Sequence, residues 1–88
     1  MNKKITNKSR AILANNIISM RYEKKWSQEK LAELSNSSSN YICNVETGKR
    51  NPSLEFIDNV AKAFGVPISE MLKENKKVKP RVRVDGKK

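Results

Sequence analysis

The stretch Ser27-Gln28-Glu29-Lys30-Leu31-Ala32-Glu33-Leu34-Ser35-Asn36-Ser37-Ser38-Ser39-Asn40-Tyr41-Ile42-Cys43-Asn44-Val45-Glu46-Thr47-Gly48 decides how the chain is read. Two apolar-periodic segments flank a tight polar connection. The first covers about 28–35, with Ser27 ahead of it as an N-cap and Leu31, Ala32 and Leu34 as its apolar residues. Trp26 precedes the cap, where it can act as a hydrophobic staple. The second covers about 39–47, capped by Ser38, stopped by Gly48, and carrying Tyr41, Ile42 and Val45. Asn36-Ser37-Ser38 joins them, and Asn tolerates the left-handed conformation that a sharp turn requires. Two short helices joined by about three residues can meet at a wide angle.

Further helices extend outward from this pair. Leu13, Ile17 and Met20 recur at i, i+4 and i+7, which predicts a helix over about 9–24 with Ser9 as its N-cap. Lys49-Arg50-Asn51-Pro52 reads as a loop. Ser53 caps a fourth helix over about 54–64, with Leu54, Ile57, Ala61 and Phe64 on one face and Gly65 at its end. A fifth, short helix over about 68–74 follows Pro67. The expected fold is all-α, with five helices in one domain over 9–74. A basic N-terminal arm, 1–8, and a basic tail, 75–88, flank it. The tail has only Val78, Val82 and Val84 as apolar residues, so disorder is the main expectation. Arg81-Val82-Arg83-Val84 does alternate, which leaves a short edge strand that pairs on dimerisation as the alternative.

Composition sets the outer limits. At 88 residues the chain is long enough for one small domain. It has 19 Lys and Arg, 9 Asp and Glu, and a net charge of +10. Residues 1–10 hold four basic residues and no acid, and residues 73–88 hold eight basic residues against two acids. The stretch 11–72 is neutral, with seven of each sign. Basic ends on a neutral domain point to an anionic partner, nucleic acid first, whereas the bland reading makes them solubilising tails. There is no His, which excludes His-ligated metals, Ser-His-Asp triads and Cys-His pairs. A single cysteine, Cys43, forms no internal disulfide and no cysteine-only zinc site. No apolar run approaches the ~20 residues of a membrane span. Asn15-Asn16 breaks the apolar run that a signal peptide would need, so a cytoplasmic protein is expected. The carboxylates are scattered, and Gly48, Gly65 and Gly86 are isolated, so neither an enzyme nor a cofactor is expected.

Ser27 to Ala32, Tyr41 to Ser53, and Phe64-Gly65-Val66-Pro67-Ile68-Ser69-Glu70-Met71-Leu72 together resemble the lambda-repressor-like, Cro-type helix-turn-helix family, also called the xenobiotic-response-element type. The likeness covers roughly residues 10–74. In such a pair the first helix crosses the DNA backbone and the second enters the major groove by its N-terminal end. The resemblance implies base contacts from Ser38, Ser39, Asn40, Cys43 and Asn44. An Asn at position 44 could bond adenine N6 and N7 together. It implies phosphate contacts from Asn16, Gln28, Tyr41, Lys49, Arg50 and Asn51, which position the protein without reading sequence. Gln28 would also brace the recognition helix. Arg21 and Glu46 match a pair that forms a buried salt bridge in some relatives; the alternative is two solvated charges.

The chain departs from the family pattern at several points. Asn36 stands where a turn Gly is usual, Ser37 where a small apolar residue packs, and Lys25 where a helix-ending Gly is common. Ser39, Asn40, Cys43 and Asn44 leave the recognition helix without a basic residue. Sequence preference would then lean on A·T contacts, DNA shape and the basic arms. Cys43 reads as a small contact residue before it reads as a thiol switch.

The expected partner is double-stranded DNA, bound by a homodimer at a palindromic operator. No separate ligand-sensing domain is expected. A protein-interaction module of the same fold, with a protein partner, is the alternative, and non-specific nucleic-acid binding through the basic ends is a third reading. Few aromatics are available as stacking platforms, which counts against single-strand recognition.

Overall fold

Five helices follow one another in the computed structural model, which describes residues 7–74: α1 (Asn7–Lys24), α2 (Gln28–Leu34), α3 (Ser39–Glu46), α4 (Leu54–Phe64) and α5 (Ile68–Met71). Among these residues there is no strand, and no helix is long and apolar enough to cross a membrane. The tail 75–88 and the first six residues of the arm lie outside the described residues.

Three serines start three of the helices. The hydroxyls of Ser27, Ser38 and Ser53 accept the backbone N–H groups of Lys30, Tyr41 and Phe56 at 3.0, 3.1 and 3.1 Å. Each bond satisfies one of the N–H groups that a helix start leaves without an internal partner, at about 1 kcal/mol per cap. Ser9 is not a cap, because α1 begins at Asn7 and takes Ser9 into its first turn.

Four helices stop in the same way. After α1, α2, α3 and α4 a residue with positive φ turns the chain: Lys25 at 61°, Asn36 at 60°, Gly48 at 81° and Gly65 at 77°. The next N–H then reaches back to a carbonyl of the last turn. Trp26 bonds Arg21 at 3.0 Å, Ser37 bonds Ala32 at 2.8 Å, Lys49 bonds Asn44 at 2.8 Å and Val66 bonds Ala61 at 3.0 Å. This is the Schellman closure, and glycine suits it because the left-handed region strains any residue with a Cβ. Asn36 bears the conformation better than Lys25, because Asn visits it readily. Lys25→Gly is therefore expected to raise stability by about 1 kcal/mol, seen as a higher urea midpoint. An unchanged midpoint would mean that Lys25 carries no strain.

The closed helices pack around one core. Leu13, Ile17, Leu31, Ile42, Ile57, Val60 and Met71 are buried and come from all five helices. Trp26 lies between α1 and α2 and stacks on Phe64, with ring centroids 5.4 Å apart. Two residues of the apolar stripes lie outside the core. Leu34 and Leu54 are exposed, at 44% and 68%. Leu54 opens α4, and the buried face of that helix is formed by Phe56, Ile57, Val60, Ala61 and Phe64. Helix α5 is also shorter than expected and ends at Met71. The amide of Asn16 donates to the carbonyls of Met71 at 2.8 Å and Lys73 at 3.0 Å. The end of α5 is thus closed from α1, and the chain does not run on as helix to Glu74.

Candidate nucleic-acid interface

Helix α3 is held by one face and free on the other. Ile42, Val45 and Glu46 are buried. A helix turns about 100° per residue, so Asn40, Cys43 and Asn44 fall on the opposite side. Asn40 is exposed, and Ser39, Cys43 and Asn44 are half-buried. Ser38 and the start of the helix are presented at one end of this surface. The outward set carries amides, hydroxyls and a free thiol, and no charge. Amides can donate and accept at once, which suits them to base edges.

A buried ion pair fixes how this helix is set. Arg21 of α1 meets Glu46 at the end of α3 with two parallel bonds, Nε to Oε2 at 2.8 Å and Nη2 to Oε1 at 2.9 Å. Both side chains are buried, at 10% and 5% exposed. The remaining guanidinium nitrogen, Nη1, donates to the Trp26 carbonyl at 3.1 Å. Gln28, at the start of α2, donates from Nε2 to Glu46 Oε1 at 2.9 Å. Three helices therefore converge on one carboxylate. Planar bidentate pairs of this kind fix orientation as well as position. Gln28 stays half-exposed at a helix N-terminus, and its amide is already aimed by Glu46.

The turn into α3 is braced as well. Ser35 is buried, and its hydroxyl donates to the Leu31 carbonyl at 2.8 Å. The Ser37 hydroxyl lies 2.9 Å from that of Ser35. Ser35 has spent its only proton on Leu31, so Ser37 is the donor between them. Ser37, which stands in place of an apolar residue, thus finds a polar partner inside the turn. The sequence carried no signal for this relay beyond a run of serines.

Beyond α3 the surface becomes basic. Lys49, Arg50 and Asn51 are exposed. The guanidinium of Arg50 lies over the Tyr41 ring, 5.4 Å from its centroid. Tyr41 in turn meets Phe56 edge-on at 4.8 Å. The core thus supports a ring that supports a cation, and Arg50 is held close to the recognition helix. Asn16 is placed differently from the other expected phosphate contacts. It is 4% exposed, and its amide nitrogen is spent on the carbonyls at the end of α5. In the structure it is an internal clamp, not a surface donor. Among the described residues no group of His, Cys, Asp and Glu side chains could hold a metal.

Two helices joined by a tight turn, the second braced from behind and bare in front, define the class. The helix-turn-helix family model matches residues 17–71. The chain is similar to the immunity repressor of Bacillus phage phi105, at 36% identity over 63 residues, covering 72% of this chain and 44% of the repressor. The matched part thus spans under half of that relative. Among solved structures it resembles a hypothetical transcription factor from Neisseria, at a TM-score of 0.75 and 31% identity, covering 88% of this chain and 90% of that one. It also resembles the restriction-modification controller protein C.Esp1396I, solved as a tetramer in complex with its natural 35 base-pair operator. There the TM-score is 0.62 and the identity 29%, covering 73% of this chain and 95% of that one. The chain belongs to the helix-turn-helix family of DNA-binding transcription regulators.

Proposed function

We propose that the protein regulates transcription by binding a palindromic operator as a homodimer, with α3 in the major groove of each half-site. The observation that carries this is the outward face of α3. Asn40, Cys43 and Asn44 are presented by a helix that Arg21, Glu46 and Gln28 hold rigid. Asn40 and Asn44 read base edges, with Ser38 and Ser39 at the entry and Cys43 as a small neutral contact. Lys49, Arg50 and Asn51 hold the phosphate backbone, and Gln28 adds a contact through the second proton of its amide. Dimeric reading places two recognition helices about 34–36 Å apart. The operator-bound tetramer of the controller protein C.Esp1396I supports this arrangement.

The test is Asn44→Ala. It is expected to cost about 1–3 kcal/mol on the preferred site and to relax preference at one base position in each half-site. A preference profile identical to that of the wild type would remove Asn44 from the groove. The neutral recognition helix favours a second reading, in which the fold binds a protein partner. In that case Asn44→Ala leaves DNA binding unchanged and weakens a protein complex.

A further inference from the structure

Helix α3 lies between two supported cations. With Ile42 turned to the core, the 100° step per residue puts Tyr41 on one flank of α3 and Cys43 on the other. Glu46 falls about 40° from Ile42, on the Cys43 flank. Arg50 stands on the Tyr41 flank, over that ring. The corner between α1 and α2 stands on the Glu46 flank. Two bonds pin it there: the Trp26 carbonyl accepts from Arg21 Nη1 at 3.1 Å, and the Gln28 amide donates to Glu46 Oε1 at 2.9 Å. This corner carries Lys24 and Lys25. Both are exposed, and among the described residues neither makes an ion pair.

The two flanks are built alike. Arg50 lies over Tyr41, and Tyr41 meets Phe56 of α4. Lys24 Nζ lies 5.5 Å from the centroid of the Trp26 ring, and Trp26 stacks on Phe64 of α4. In each case a cation rests on a ring, and the ring rests on a phenylalanine of the core. Such support restrains a side chain that would otherwise sweep through solvent.

Lys25 adds a second observation. Its φ of 61° closes α1, in a region that glycine enters without strain and lysine does not. Gly48 and Gly65 occupy the corresponding turns after α3 and α4. Strain of this kind concentrates at functional sites. What lysine adds here over glycine is a long cationic side chain.

We propose that Lys24 and Lys25 hold the phosphate backbone of one DNA strand, on the wall of the major groove opposite the wall held by Lys49 and Arg50. The assignment rests on the reading of α3 as the groove helix. The major groove is about 12 Å wide, and a helix with its side chains is about 10–12 Å across, so the two flanks of α3 face the two strands that bound the groove. A recognition helix with no basic residue on its outward face is thus centred by cations on both sides. The strain at Lys25 is kept for a contact made on DNA.

Binding of the full-length protein to a random-sequence duplex, measured over a range of salt concentrations, tests this, with urea unfolding of the same variants alongside. Lys25→Gly is the decisive variant, because relief of the positive φ lets it fold at least as well as the wild type. It is expected to bind about threefold to fivefold more weakly near physiological salt and to lower the salt slope by about 1, while its urea midpoint rises. Adding Lys24→Gln should lower the slope by about 2 in all. Lys25→Arg should keep the wild-type slope, because it keeps the charge. Lys62→Gln removes one charge from the exposed side of α4 and should also leave the slope unchanged. A wild-type slope in Lys25→Gly would overturn the assignment and leave α3 in the groove. A slope lowered equally by Lys25→Arg or by Lys62→Gln would overturn it too, because the loss would not belong to a charge at this corner. A folded wild type with no salt-dependent affinity for duplex DNA would overturn the DNA reading itself, and the assignment with it.

Discussion

Glu46→Ala is expected to lower the unfolding free energy by about 3–5 kcal/mol. The carboxylate is 5% exposed and accepts three side-chain bonds, two from Arg21 and one from Gln28. Its removal leaves the Arg21 guanidinium buried, with one hydrogen bond to the Trp26 carbonyl and the Tyr22 ring 5.2 Å away. An uncompensated charge in that position is costly, whereas the intact pair need not be strongly stabilising in itself. The cost of a lone buried charge and the net value of the pair separate experimentally. Replacing both residues, as in Arg21→Met with Glu46→Leu, should cost far less than Glu46→Ala alone. The exposed pair between Lys62 and Asp58, 3.4 Å apart, is the contrast, because solvent screens it. Asp58→Ala should change stability by no more than about 0.5 kcal/mol. Urea unfolding followed by circular dichroism measures all three. A loss of under 1 kcal/mol for Glu46→Ala would mean that the pair does not set α3 in place.

Lys79→Gln, Arg81→Gln and Arg83→Gln together are expected to weaken binding to every duplex by roughly tenfold to a hundredfold near physiological salt. The helical part of the chain is close to neutral, and the excess charge lies at the ends. Each Lys or Arg that meets a phosphate releases counterions, so three lost contacts lower the salt slope by about 3. The loss should be the same for preferred and random DNA, because phosphate contacts carry no sequence information. Binding titrations over a range of salt concentrations, on one preferred and one random duplex, give both quantities. An unchanged slope would mean that the tail's charges do not meet the backbone. A loss confined to the preferred duplex would assign the tail a reading role instead.

How much of the fold was legible follows from how far each cause acts along the chain. Ser27, Ser38 and Ser53 cap N–H groups three residues away, and that spacing is plain in the sequence. Asn36 and Lys25 stand where the family pattern has glycine, and the structure gives both a positive φ. The boundaries of α4 follow from Ser53 and Gly65, which lie beside it. The end of α5 does not, because the group that closes it, Asn16, is 55 residues away from Met71. For the same reason Asn16 passes for a surface donor when only its neighbours are in view. Leu34 and Leu54 fit their stripes without reaching the core, because each sits in the first or last turn of its helix.

The site divides along the same line. Helical spacing alone puts Asn40, Cys43 and Asn44 on one face once Ile42 and Val45 are given to the core. The pairing of Arg21 with Glu46 came from family likeness, since nothing local joins residues 25 apart. The Ser35 and Ser37 relay and the seat of Arg50 on Tyr41 depend on tertiary placement that spacing does not encode.

The proposed reading of DNA sequence by α3 is open to direct test. Selection from random duplex DNA at near-physiological salt, with the full-length protein and the Asn44→Ala variant in parallel, tests it most directly. The wild type should enrich a palindrome with half-sites about one helical turn apart, and the variant should enrich the same palindrome with one position per half-site relaxed. A folded wild-type protein that enriches no sequence would mean that α3 does not read DNA and would point to a protein partner.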